Sequence, residues 1–333
     1  VWAAYVLYSY GTKVGAVLGN PENYAAAYGA AGGTLGTAAG AVTALIFVAF
    51  VLTIYLKVFR QQMKREHHSK VDSYSYIFKI LLITIIPVLL STTIYNCNAI
   101  LDQAIFKNIA NLQGYSANDI SEWNGIYTGK YKTLINVPIS IASSLAASSV
   151  PALTAAYTNG DQEKVRSQIN TAIRFIMVIA FPCAVGMGVL ASPILQLLFH
   201  DSSELAATML QLGAVSILFF SLSTLSNGLL QGINRMHEPV KNALIALVLH
   251  IGLLIGLMYG FHLNIYAVVY ANAFFGLLMC VLNAYSVKKY SGYKQEWKRT
   301  FLIPGLSAVV MGAAVWGAYK LTLYLFRVNA LAT

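Results

Sequence analysis

Residues 76–104 read YIFKILLITIIPVLLSTTIYNCNAILDQA, with Lys79 and Asp102 the only charges in the stretch. That exceeds the about 20 apolar residues that carry a helix across a hydrocarbon core roughly 30 Å thick. The same measure marks eight further stretches, so that nine candidate spans run at 1–18, 35–56, 76–104, 124–150, 171–195, 205–231, 241–260, 264–287 and 301–326. The whole chain agrees: of 333 residues 57% are hydrophobic and 10% charged, and the mean hydropathy is +0.63. Soluble domains carry about 25% charged residues. Too few charges are present to coat a soluble body, which excludes a soluble enzyme, a disordered chain, a collagen-like fibre and a disulfide scaffold. The expected fold is an all-α polytopic membrane protein with about nine transmembrane helices. The chain opens at Val1 inside an apolar run with no signal peptide, and its natural start is expected upstream.

The loops orient these spans. Residues 57–75, 151–170, 232–240 and 288–300 hold Lys57, Arg60, Lys64, Arg65, Lys70, Lys164, Arg166, Arg235, Lys288, Lys289, Lys294, Lys298 and Arg299. The opposite loops hold Lys107 and Arg327, with Glu22, Asp119, Glu122, Asp201 and Glu204. Lys and Arg collect in cytoplasmic loops, so the basic side is read as cytoplasmic. The net charge of +10 follows from this asymmetry, and no nucleic-acid partner is expected.

Small residues and prolines refine the picture. Gly32, Gly36 and Gly40, and again Gly252, Gly256 and Gly260, recur every four residues, a spacing that lets membrane helices approach closely. Pro87, Pro138 and Pro182 fall inside spans and are expected to kink or break them, for packing or for a transport cavity. Cys97, Cys183 and Cys280 sit in apolar runs and read as small core residues.

Polar groups within spans are costly and therefore informative. Ser91, Tyr95, Asn98 and Asp102 share one face of the third span. Lys132, Asn136, Ser140 and Ser143 do so in the fourth, and Ser216, Ser223, Asn227 and Gln231 in the sixth. The cavity-lining candidates are Ser91, Tyr95, Asn98, Asp102, Lys132, Asn136, Ser140, Asn227 and Gln231. Asp102 and Lys132 fall at matching depth on consecutive antiparallel helices. They read as an ion pair lining or gating a cavity, or as a static interfacial pair with Lys132 snorkelling to the headgroups. Lys130 points away from Lys132 on an even helical wheel and reads as snorkelling. Arg174 reads as a topology marker, with anionic lipid or a lipid phosphate as other partners.

Other chemistry is sparse. The six histidines, at 67, 68, 200, 237, 250 and 262, show no metal-ligand spacing, and the chain has neither a phosphate-binding loop nor a nucleophile elbow. No metal, cofactor or catalytic residue is expected.

Three segments carry a resemblance: LDQAIF (101–106), YTGKYKTLINVPISIASSLAASSVPALTAAYTNGD (127–161) and SLSTLSNGLLQGINRMHEPVKNALIAL (221–247). They resemble the polysaccharide transporter family, which includes stage V sporulation protein B and Gram-positive lipid II flippases, within the multidrug/oligosaccharidyl-lipid/polysaccharide flippase superfamily. The resemblance implies a fragment of a fourteen-helix, two-lobe fold. Residues 1–56 would be the last two helices of the amino-terminal lobe and 57–75 a cytoplasmic basic linker. Residues 76–287 would form the carboxyl-terminal six-helix lobe, and 288–333 the first of two extra helices. Helices one to four and fourteen of that plan would be absent.

The function so implied is movement of a polyprenyl-linked saccharide from the inner to the outer leaflet by alternating access. The cargo would be the peptidoglycan precursor lipid II or another polysaccharide precursor, in vegetative or sporulation cell-wall synthesis. Coupling would be to a cation gradient or to the membrane potential. The alternatives are a cation-coupled multidrug exporter of the same superfamily and a non-transporting membrane subunit of envelope polysaccharide synthesis; none of these is an enzyme.

Overall fold

The computed structural model describes residues 2–65 and 72–332, and every described element is helical. The chain divides into two compact units between Tyr74 and Ser75.

The first unit is a helical hairpin of α1 (Trp2–Leu18) and α2 (Pro21–Arg65). Gly19, at φ +88°, makes the reversal that an L side chain resists. Small residues let the two helices touch: a Cβ at Gly11 would lie 2.5 Å from the Tyr24 carbonyl oxygen, and one at Gly32 2.5 Å from that of Ala3. α2 has 45 residues and runs well past the expected span at 35–56. Its extension enters the basic 57–75 segment because Lys, Arg, Gln and Met there favour helix and no Gly or Pro interrupts. His67, His68 and Lys70 lie outside the described residues.

The second unit holds α3 (Tyr74–Leu112), α4 (Ala117–Ile126), α5 (Lys132–Thr158), α6 (Gln162–Val189), α7 (Ala191–Phe199) and α8 (Glu204–Gly213). It continues with α9 (Ser216–Gly232), α10 (His237–Phe261), α11 (Asn264–Ser291) and α12 (Ile303–Ala332). A π-helical turn over Tyr127–Tyr131 joins α4 to α5, and another over Lys298–Leu302 leads into α12. Side chains that compete for backbone groups start these helices: Ser116, Asp161 and Ser203 cap α4, α6 and α8.

All nine expected spans fall on helices. Among the described residues six helices are long and apolar enough to cross a membrane, and the bent pair α8–α9 makes a seventh. The other two are α1, described over 17 residues, and α3, of 39 residues, which is apolar over Tyr74–Ile86. Leu45, Phe47 and Phe50 on α2, and Leu244, Val248 and Leu249 on α10, are exposed, as lipid-facing side chains must be.

Two expectations change here. No break falls at a proline: α3, α5 and α6 run on through Pro87, Pro138 and Pro182, and the broken pair, bent by 45°, is α8 and α9, where the sequence has no proline. There Gly213 abuts the Tyr131 ring so closely that a Cβ would collide with it. The periodic glycines also part company. Gly32 makes a close contact, but Gly36, Gly40, Gly252, Gly256 and Gly260 have open space where a Cβ would go. Close approach within the second unit uses scattered glycines instead: a Cβ at Gly228 of α9 would lie 2.8 Å from that of Ala146 on α5.

Candidate functional site

The second unit buries a connected polar cluster within its apolar lobe. Asp102, on α3, is 1% exposed, and His250, on α10, is fully buried. His250 Nε2 lies 2.5 Å from Asp102 Oδ1, and its Nδ1 lies 2.8 Å from the Ala271 carbonyl oxygen. Asn272, on α11, donates from Nδ2 to Asp102 Oδ2 at 2.6 Å and to the Tyr127 hydroxyl at 2.8 Å. Its third neighbour is the Val268 carbonyl at 3.1 Å. Three helices therefore meet at one carboxylate, and Asn272 ties the π-helical turn to them.

The π-helical turn sets one wall. Its wider period brings Tyr127 and Tyr131 inward together, their rings stacked with centroids 5.3 Å apart. Tyr131 donates to Ser216 Oγ at 3.4 Å, and Ser216 in turn donates to the Gly213 carbonyl at 2.6 Å, which ties the turn to the α8–α9 bend.

Beside the cluster lies a cavity of about 250 Å³ whose polar lining is Asn98, Tyr127, Tyr131, Lys132, Asn136, Ser216, Thr224 and Asn272. Three of the expected site residues thus share one cavity: Asn98, Lys132 and Asn136. Asn98 is 4% exposed, and among the described residues its Oδ1 has no hydrogen-bond partner. A buried acceptor without a donor costs about 1–3 kcal/mol, which a donor entering the cavity would recover.

The ion pair expected between Asp102 and Lys132 is not formed. Asp102 gives both oxygens to His250 and Asn272, while Lys132 Nζ stands over the Tyr127 ring, 5.0 Å from its centroid. Lys130 does not snorkel: its Nζ pairs with Asp201 Oδ2 at 2.5 Å, because the π-helical turn breaks the even period on which the wheel relies. Burial opposes the charged form of Asp201, but hydrogen bonds from Lys130 and Ser203 outweigh it and hold the carboxyl below its ordinary range.

The remaining expected residues lie elsewhere. The side chains of Ser91 and Tyr95 are outside the described residues. Ser140 is exposed on α5 and donates to its own helix, at the Val137 carbonyl. Gln231 is half-buried on the last turn of α9. Asn227 belongs to a second polar ladder, accepting from Asn283 Nδ2 at 2.7 Å, while Asn242 donates to Asn283 Oδ1 at 2.9 Å and to Ser286 Oγ at 3.1 Å. That ladder joins α9, α10 and α11 as interhelical glue.

A larger, mainly apolar cavity of about 640 Å³ opens between α6, α9, α11 and the segment after α11, with Lys288 and Lys294 in its lining. Next to it Arg174 pairs with Glu296 at 2.7 Å, so the partner of Arg174 is internal. Tyr293, in the same connecting segment, is buried and close to the Glu296 carboxylate, and its hydroxyl is pushed up to about 12.

His250, Asn272 and Tyr127 were missed from the sequence. His250 and Asn272 carried a usable signal: polar side chains in the middle of the apolar runs 241–260 and 264–287, where such groups are functional by default.

The sequence matches the family profile "Lipid II flippase MurJ" over residues 14–333. It is 30% identical over 195 residues to the lipid II flippase MurJ of Bacillus subtilis, a match covering 57% of this chain and 35% of that protein. It is 28% identical over 218 residues to the probable lipid II flippase MurJ of Bdellovibrio bacteriovorus, covering 63% of this chain and 40% of that one. A solved structure, lipid II flippase MurJ in an inward closed conformation, is similar at a TM-score of 0.59 and 14% identity, over 95% of this chain and 60% of the other. These matches span about a third to two-fifths of the curated relatives' length. The structural likeness shows the fold.

Proposed function

The chain belongs to the MurJ lipid II flippase family, a bacterial membrane family of the flippase superfamily, and from that premise we propose how it works. The protein containing this chain moves a polyprenyl-linked saccharide, lipid II in our reading, from the inner to the outer leaflet by alternating access. It acts as a transporter, not a catalyst. Residues 1–56 close the amino-terminal lobe, 57–75 link the lobes, 76–287 form the carboxyl-terminal lobe and 288–333 the first extra helix. The basic loops face the cytoplasm. The narrower tie to stage V sporulation protein B rests on the three quoted segments.

One observation carries the reading: a polar cavity holding Lys132 and an Asn98 carbonyl without a partner among the described residues lies inside a lobe whose outer surface is apolar. A flippase must replace the hydration of a phosphate- and sugar-bearing headgroup while the tail stays in lipid. An ammonium meets phosphate, and amides and hydroxyls meet sugar hydroxyls.

The test is complementation of a flippase-depleted bacterial strain by the full-length protein, with inner-leaflet lipid II measured directly. Restored growth with cleared precursor is expected. Normal membrane levels without either would overturn the reading.

A further inference from the structure

The geometry around Asp102 and His250 counts a proton. The Ala271 carbonyl can only accept, so His250 Nδ1 carries a hydrogen and donates it across 2.8 Å. The other ring nitrogen, Nε2, faces Asp102 Oδ1 at 2.5 Å. If the ring were neutral and the carboxyl ionised, two lone pairs would confront each other across that gap. The contact is a hydrogen bond only with one more proton. That proton sits on the carboxyl and points to Nε2, or on Nε2 and points to the carboxylate. Both arrangements hold the same single proton.

We propose that Asp102 and His250 form a proton-binding site whose occupancy is coupled to the conformation of this lobe. The conformation described here holds one proton between α3 and α10; parting the two side chains releases it to water. Asn272 and Tyr127, both bonded into the cluster, line the adjoining cavity, so water there stands one side chain from the carboxylate. Around the pair, α3 adds Asn98, the π-helical turn adds Tyr127 and Tyr131, α5 adds Lys132 and α11 adds Asn272. Lys132 is the charged group among them. After release Asp102 keeps its bond from Asn272, and the cation nearest to hand is Lys132 on the wall of the adjoining cavity. Proton loss and a turn of the carboxylate toward Lys132 thus belong to one step. As a coupling device the site rests on the flippase reading; as a proton site it rests on the geometry.

The test uses purified full-length protein in sodium-free detergent solution without lipid substrate, its thermal midpoint followed from about pH 5 to about pH 8. A state holding one extra proton gains at most about tenfold in population ratio per unit of acidification. An unfolded histidine takes up its own proton below about pH 6.5, so the midpoint should be level below that value and fall as pH rises above it. Asp102→Asn places a donor against Nε2, and His250→Gln places one against the carboxylate, so each keeps a hydrogen bond without the titrating proton. Both should lose the same one-proton component of the profile, and the double variant should lose no more. Parallel profiles in wild type and both variants would overturn the site. So would a midpoint that sodium raises at constant pH and Asp102→Asn makes insensitive, since the ligand would then be a metal cation. Should a variant fail to fold, the low-field ring N–H resonance of histidine-labelled wild-type protein decides: seen in acid and lost in base, it supports the site; missing in acid, it removes it. Complementation run in parallel separates the two ideas. A one-proton component without complementation leaves the site standing and ends the flippase reading.

Discussion

Asp102 and His250 lie 148 residues apart in sequence and meet in a 2.5 Å hydrogen bond where neither is measurably wet. The contact takes from Lys132 the partner that helix order alone would assign to it. Lys132 is left on the cavity wall over Tyr127, as the cation available to a ligand.

Lys132→Met should therefore reduce flipping at least about tenfold, the cost of one charge-assisted hydrogen bond of about 1.5–3 kcal/mol, with membrane levels unchanged. Lys132→Arg should retain part of the activity. Adding Asp102→Asn to Lys132→Met should not restore it, because in the conformation described the two do not form a closed pair and each has a separate task. Complementation with blotting checks all three, and recovery in the double variant would reinstate a direct pair.

Gly213 faces the Tyr131 ring with no room for a methyl group, whereas Gly252 faces open space. Gly213→Ala should destabilise the lobe by about 1–3 kcal/mol through overpacking, and Tyr131→Leu should relieve part of that loss. Gly252→Ala should be neutral or stabilising by up to about 1 kcal/mol, since alanine loses less chain entropy in a helix. Thermal midpoints of the three variants distinguish the sites.

Asn283 joins the amides of Asn227 and Asn242. Asn283→Ala should cost about 0.6–1.7 kcal/mol, the range for interhelical hydrogen bonds in membranes. Its effect should be a lower midpoint at every pH, and a change in the pH profile would mean that the ladder belongs to the proton site.

The Lys130–Asp201 pair sits at the rim, and removing it should cost about 0–1 kcal/mol. A carboxyl held below its unfolded value stabilises the fold above about pH 3.9, and that stabilisation is lost as pH falls through its lower folded value. Asp201→Asn should flatten only this acid limb of the midpoint profile. Unchanged acid behaviour would show that the pair contributes nothing.

Cysteines replacing Lys164 and Lys294 should stay unlabelled by an impermeant thiol reagent in intact cells, while one replacing Glu122 should label. All three side chains are exposed, so access reports the side of the membrane. Labelling at both lysine positions would invert the topology.

The sequence by itself determined that this chain is helical, where its apolar segments lie and that several of them carry polar faces. Those properties sum over neighbouring residues: a run of leucines is apolar whatever it packs against, and a polar stripe follows from the helical period. Asn98, Lys132 and Asn136 were legible for that reason. Tertiary structure alone decided which partner Asp102 takes, that a break and bend fall beside Gly213, and that Gly252, Gly256 and Gly260 have nothing among the described residues where a Cβ would go. Each depends on atoms within about 3 Å, brought together from distant segments by helix packing. At Tyr127–Tyr131 one wider turn shifts every later side chain around its axis. A hydrogen bond is made or lost over less than that shift, and no sum over neighbours in sequence contains it.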